Sequence, residues 1–176
     1  IQAVREREVR LKYDAPVSEG LYSAMVVCRD QAGTPVTEIP VTYVRAAGFT
    51  PRANSVERMG EVEPGRWRRH YVRVPEGATS LKLTLSVLQQ DEPGASAMAY
   101  VISPDGQVNV TGLSRAEGNL VTVAQFQSDS PKPGVWEIVV YSPIPGVGTG
   151  APSIVRYKLD AVCMGLLAAP VVRTPG

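Results

Sequence analysis

The sequence predicts an all-β chain, most of it a single β-sandwich of jelly-roll type, on three observations. Fifteen prolines and sixteen glycines cut the 176 residues into short runs. Those runs are rich in Val, Leu, Thr and Tyr rather than in the Ala/Glu/Lys/Leu patterns of long helices. Between Arg69 and Leu85 two strand-like runs meet at the turn Pro75-Glu76-Gly77. Alternation there puts His70, Val72 and Val74 on one face and Tyr71 and Arg73 on the other. It then sends Leu81, Leu83, Leu85 and Val87 inward and Lys82, Thr84 and Ser86 outward.

Taken in order, the first strands are expected at Arg5 to Tyr13, Leu21 to Cys28 and Val36 to Arg45. The separators Ala15 to Gly20 and Asp30 to Pro35 carry the Gly, Pro, Asp and Ser of turns. Ala46 to Val62 holds Gly48, Pro51 and Asn54 with scattered charge and no sustained period, so it reads as a connector. A boundary near Gly48 divides residues 1–47, a three-strand β segment from a neighbouring domain, from residues 48–176, the sandwich. In the second unit the strands are Arg66 to Val74, Leu81 to Leu88, Ala97 to Ser103, Gln107 to Thr111, Leu120 to Phe126, Val135 to Tyr141 and Ser153 to Val162. That number of short strands suits a jelly roll. Pro104-Asp105-Gly106 is a tight turn. Pro131-Lys132-Pro133-Gly134 stops one run so that Trp136, Ile138 and Val140 face the core, with Trp136 at its centre.

Composition narrows the function classes. Eighteen Lys and Arg against seventeen Asp and Glu leave a net charge of +1, too even to point to nucleic acid. No apolar stretch approaches the ~18 residues of a membrane span, and the longest, Val162 to Val172, is interrupted by Pro170. The chain opens on Ile1 with no charged and apolar leader pattern, so it reads as a segment of a longer polypeptide whose localisation signals would lie upstream. Cys28 and Cys163 can be two buried thiols, the favoured reading, or one long-range bridge.

The residues that run an enzyme are scarce. His70 is the one imidazole in the sequence. It sits in phase with Val72 and Val74 and has no Gly-x-Ser-x-Gly elbow beside it, so a packed, hydrogen-bonded structural histidine is expected. One histidine with two distant cysteines cannot build a zinc site. Asp91-Glu92 and Asp105 are dispersed turn acids rather than a calcium loop or a catalytic carboxylate pair. Gly146-Val147-Gly148-Thr149-Gly150 is followed by Ala151-Pro152 and a strand instead of a helix, so it reads as a hairpin loop and not a phosphate cradle. No catalytic residue, metal site or cofactor is expected. The best interaction patch is Trp67, Arg69, Tyr71 and Arg73, alternating along the outward face of one strand with Arg66 and Arg68 beside them. Such residues offer large contact area with a polar handle where surfaces dock. A solvated strand face with snorkelling stems is the favoured reading of this patch, with a docking face to another domain or subunit next and a glycan or nucleic-acid site as a further alternative.

Three stretches carry a family resemblance: Gly20-Leu21-Tyr22 through Cys28; Ile39-Pro40-Val41-Thr42; and Pro64-Gly65 with Arg68-Arg69-His70 and Val74-Pro75-Glu76-Gly77-Ala78-Thr79. In these the chain resembles the tripeptidyl-peptidase II branch of the subtilisin-like serine peptidases, in the region after the catalytic domain. The match thins beyond Leu88, though Tyr157-Lys158-Leu159 is similar in kind. A looser likeness is to bacterial pre-peptidase C-terminal domains. It lies in the Val-Pro-x-Gly turn, Ser103-Pro104-Asp105-Gly106 and the strand Pro133 to Val140. That family often places acids ahead of the second turn, where this chain has Ser96 and Met98.

The resemblance implies a non-catalytic accessory domain of galactose-binding-like jelly-roll form. The peptidase's catalytic Asp, His and Ser would lie outside these residues. Its partners would be other domains or subunits of the parent peptidase, with self-assembly among its roles and neither nucleic acid nor membrane. The alternative is a carbohydrate-binding module in which Trp67 or Tyr71 stacks on a sugar.

Overall fold

A computed structural model describes residues 12, 14, 16–88, 97–111, 120–144 and 154–166. Among these residues all regular structure is strand: β1 Gly20–Arg29, β2 Pro35–Arg45, β3 Ala47–Gly48, β4 Ser55–Val62, β5 Trp67–Val74, β6 Ser80–Leu88, β7 Met98–Ile102, β8 Val108–Thr111, β9 Leu120–Asp129, β10 Gly134–Tyr141 and β11 Val155–Met164. β1 and β2 form a two-stranded sheet of their own. A five-stranded sheet in the order β3-β5-β10-β7-β8 faces a four-stranded sheet in the order β4-β11-β6-β9.

The pairing of the eight strands from β4 to β11 is nested. β7 pairs β8, β6 pairs β9, β5 pairs β10 and β4 pairs β11, all antiparallel. This is a long two-stranded ribbon rolled up so that successive pairs fall in alternate sheets. Rolling brings the inward residues of both sheets together. Val72, Val74, Ala99, Val101, Trp136, Ile138 and Val140 come from one sheet, and Leu81, Leu83, Leu85, Val87, Val155, Tyr157, Leu159, Ala161 and Cys163 from the other. Strict alternation in β6 and β10 buries the residues expected from the sequence. Trp136 is 4% exposed, donates its indole N–H to the Lys132 carbonyl at 2.9 Å, and lies with its ring centroid 5.8 Å from that of Phe126. A buried indole needs such an acceptor, and the Pro131 to Gly134 turn provides it.

The turn at Pro104-Asp105-Gly106 also forms as expected. The Gly106 amide donates to the Ser103 carbonyl at 2.9 Å and the Ser103 amide to the Gln107 carbonyl at 3.0 Å. Gly106 has φ of 82°, which glycine adopts without the Cβ penalty. Asp105 accepts from the Ser103 hydroxyl at 2.5 Å and pairs with Lys132. The carboxylate thus fastens the turn, and its pKa is held below the ordinary value chiefly by Lys132. Cys28 and Cys163 are both free thiols, Cys163 fully buried.

The stretch Ala46 to Val62, expected to be a connector, instead contains β3 and β4. β3 adds in parallel to β5, and β4 is an edge strand of the four-stranded sheet paired with β11 from Ser55 to Val62. Its inward positions are Val56, Arg58, Gly60 and Val62. An arginine and a glycine on the inner face erase the apolar alternation that marks a strand in sequence. β9 also runs on to Asp129. The expected strand Arg5 to Tyr13, apart from Lys12, the pair Asp91-Glu92 and the Gly146 to Gly150 loop lie outside the described residues.

Trp136→Ala removes the largest side chain of the inter-sheet core together with its hydrogen bond. It is expected to cost about 3–5 kcal/mol, read by urea unfolding. Arg156→Ala, on an exposed ion pair with Glu61, should change stability by less than ~1 kcal/mol.

Candidate functional site

Two polar or aromatic features stand out from this frame. The first is where the edge strand β4 meets β5. Arg68 of β5 donates through Nε to the Glu61 carbonyl of β4 at 3.2 Å, so the two strands close one long side of the sandwich. Just inside lies His70, whose Nε2 is 2.7 Å from the Tyr157 hydroxyl on the opposite sheet. The rings meet edge-on, with centroids 5.8 Å apart and planes at 77°. Tyr157 is the register partner of Gly60. A Cβ on Gly60 would sit 2.5 Å from the tyrosine hydroxyl, so the ring occupies space that only glycine leaves free.

Arg58, on the same inner face of β4, pairs with Glu19, the residue preceding β1. This ion pair ties the entrance of the β1–β2 hairpin to the sandwich beside His70. Burial lowers the His70 pKa below its ordinary 6.5, the positive charges of Arg58 and Arg68 lower it further, and Glu19 opposes them. Burial raises the Tyr157 pKa. A neutral imidazole bonded to a phenol, with no nucleophile placed on it among the described residues, is a structural strut between sheets. Among the described residues no group of three or more His, Cys, Asp or Glu side chains is arranged to hold a metal.

The second feature is the outer face of the five-stranded sheet. The ladder registers assemble it in rows: Trp67, Tyr141 and Met98; Arg69, Val139, Tyr100 and Val110; Tyr71, Glu137, Ile102 and Val108; Arg73 and Val135. Trp67, Val108 and Val110 are 58%, 57% and 55% exposed. Tyr100 reaches along the face to the Met98 sulfur at 3.8 Å. Arg69 pairs with Glu137 at 2.8 Å; Arg73 is exposed and has no ion pair among the described residues.

Trp67, Arg69 and Arg73 therefore stand on one exposed face, as their alternation implies. Tyr71 shares their register but is only 5% exposed and lies outside the inter-sheet core, so it offers no open surface. β1 of the hairpin reaches β5, placing the N-terminal segment beside this strand. Sequence reasoning about β5 alone missed Tyr141, Met98, Tyr100, Val108 and Val110. Outward apolar residues at alternate positions of Val108-Asn109-Val110 and Met98-Ala99-Tyr100 were a signal, but only pairing shows that they join Trp67.

The outer face of the four-stranded sheet is of opposite character. Beside the exposed Met59 and Met164 it carries Glu57, Glu61, Lys82, Thr84, Ser86, Arg156, Lys158 and Asp160, laced by Lys158 to Glu57 at 2.8 Å and to Asp160 at 3.2 Å and by Arg156 to Glu61 at 3.1 Å. That composition suits water.

Gly60→Ala must push the Tyr157 hydroxyl off His70, and Tyr157→Phe leaves the imidazole nitrogen without its partner. Each is expected to cost about 1–3 kcal/mol, and the double variant less than the sum, as a thermal-melt double-mutant cycle will show. The folded state holds His70 neutral where the unfolded chain takes up a proton. Its contribution to stability is therefore complete above pH 6.5 and is lost as pH falls from there toward the lowered folded pKa. Tm should drop on acidification through that window, and His70→Gln should flatten the dependence.

No protein-family model matches the chain, and no curated protein matches it in sequence. Among solved structures it is similar to part of tripeptidyl peptidase 2 (TPP II), at 16% identity and a TM-score of 0.56. The likeness covers 85% of this chain and 13% of that one. The periplasmic inhibitor of g-type lysozyme PliG from Aeromonas hydrophila matches at 16% identity over 68% of this chain and 96% of its own, with a TM-score of 0.44. The Salmonella Typhimurium PliG matches at 15% identity, over 68% of this chain and 100% of its own, with a TM-score of 0.39. The two inhibitor likenesses are too loose to carry an argument. That to TPP II is one of fold, and the chain spans a small part of that protein's length.

Proposed function

We propose that the chain is a non-catalytic accessory β-sandwich of a subtilisin-like serine peptidase of the tripeptidyl-peptidase II kind, bracing the protease or joining its domains and subunits. The observation that carries this reading is the contrast between the two outer faces of the sandwich. One is laced with ion pairs suited to solvent, and the other presents Trp67, Tyr141, Tyr100, Val108 and Val110 in register with Arg69 and Arg73. Aromatic and arginine residues of this kind are enriched where protein surfaces meet. The fold likeness to a part of TPP II and the sequence resemblance at Pro64 to Thr79 support the choice of parent. In this reading residues 1–47 belong with a neighbouring β unit and residues 48–176 form the docking sandwich. His70 serves as a strut between sheets rather than as a general base.

Reversing charge with Arg69→Glu and Arg73→Glu in the full-length peptidase should alter its oligomer size or its kcat/KM several-fold. The circular dichroism and Tm of this chain should stay near those of the parent sequence. Unchanged assembly and kinetics would sink the docking reading. Glycan binding by this chain that disappears in Trp67→Ala would favour the carbohydrate-binding alternative, and peptide cleavage by the chain alone would overturn the non-catalytic assignment.

A further inference from the structure

The outer face of the five-stranded sheet also indicates what kind of surface covers it. We infer that its occupant is a protein segment with an apolar centre and carboxylates along one flank, seated across β5, β10, β7 and β8. This deepens the docking reading above and rests on it. The face has two zones. Met98, Tyr100, Ile102, Val108, Val110, Val139 and Tyr141 make an uncharged field three strands wide. Trp67, Arg69 and Arg73 on β5 border that field.

Its charges are unbalanced. Glu137 is the acid of the assembled rows, and it is already taken by Arg69 at 2.8 Å. Arg73 has no ion-pair partner among the described residues. A guanidinium covered by a docked surface is compensated best by a carboxylate, which accepts from it bidentately and neutralises its charge, so an occupant that brings one is favoured. A second copy of the chain in isologous contact would present the same rows. It would set more arginines against these and offer only the one Glu137, already engaged. Charge complementarity therefore favours a different, acidic partner over self-association through this face. The apolar field supplies contact area, with Trp67 and Tyr141 as rigid anchors, while the β5 border sets orientation by pairing with acid.

The test uses the full chain with two fluorescein-labelled, strand-forming peptides, one alternating glutamate with leucine and one alternating lysine with leucine, followed by fluorescence anisotropy at low and raised salt. The glutamate peptide is expected to bind about tenfold tighter than the lysine peptide, with the advantage shrinking in salt. Val110→Asp, at a 55% exposed position where folding is not at stake, should abolish binding of both peptides. Arg73→Glu should abolish or reverse the preference while circular dichroism stays unchanged. Equal affinity for the two peptides, with binding still lost in Val110→Asp, overturns the acidic partner but leaves the docking face standing. Binding of neither peptide, or binding untouched by Val110→Asp, overturns both. A concentration-dependent dimer in light scattering that Val110→Asp dissolves makes the occupant a second copy and likewise overturns the inference.

Discussion

The hydrogen bond between His70 and Tyr157 is the contact on which the closed side of the sandwich depends. It joins the two sheets where β4 and β5 run along an edge, a place where side chains would otherwise face water between splayed layers. Its geometry needs Gly60 to have no side chain, because the tyrosine ring lies over that backbone. It also favours a neutral imidazole beside two arginines, the direction in which burial and those charges push the His70 pKa. The ion pair from Arg58 to Glu19 then connects the same edge to the start of the hairpin. Four residue types that look unrelated in sequence, a glycine, a histidine, a tyrosine and an arginine, are one packing unit. Small domains spend most of their buried area on apolar contacts that tolerate repacking; a buried polar contact of fixed length tolerates much less.

Away from that edge, the two sheets differ in what they show to the outside. Each has an inner face of alternating aliphatic residues, so the core makes no distinction between them. The distinction lies on the outer faces. One pairs lysine and arginine with aspartate and glutamate within and between neighbouring strands; the other lines up tyrosine, methionine, isoleucine and valine across three strands with arginine on a fourth at the border. Both satisfy the fold equally well, since neither set contributes to the inter-sheet core. Among the described residues the inter-sheet core makes no use of this apolar field, which marks that face rather than the surroundings of the single histidine as the place for function.

Much of this was legible in the residues. The inward residues of β6 and β10 could be read because Leu81 to Val87 and Trp136 to Val140 alternate without interruption, and the 103 to 107 turn because Pro-Asp-Gly has few other uses. β4 could not, since its inward positions include Arg58 and Gly60, whose reasons for being there are Glu19 and Tyr157, distant in sequence. The same limit applies to the outer surface. Trp67, Arg69 and Arg73 are visible as a stripe on one strand, but Tyr71 looked equivalent to them until burial set it apart. The apolar field beside them is assembled by β10, β7 and β8, and register between strands far apart in the chain is a property of pairing rather than of local pattern.

The nested pairing of the ribbon has a consequence for the order in which the molecule forms. β7 and β8 meet across a single tight turn, so little chain entropy is lost in bringing them together. Each pair outside them, β6 with β9, then β5 with β10, closes a longer loop, but one already shortened by the pair within it. β4 and β11, farthest apart in sequence, can close cheaply only after all the others. Loop closure therefore favours assembly that zips from the Ser103 to Gln107 turn toward the edge, with the least forgiving contact, Tyr157 folded over Gly60 to reach His70, made last.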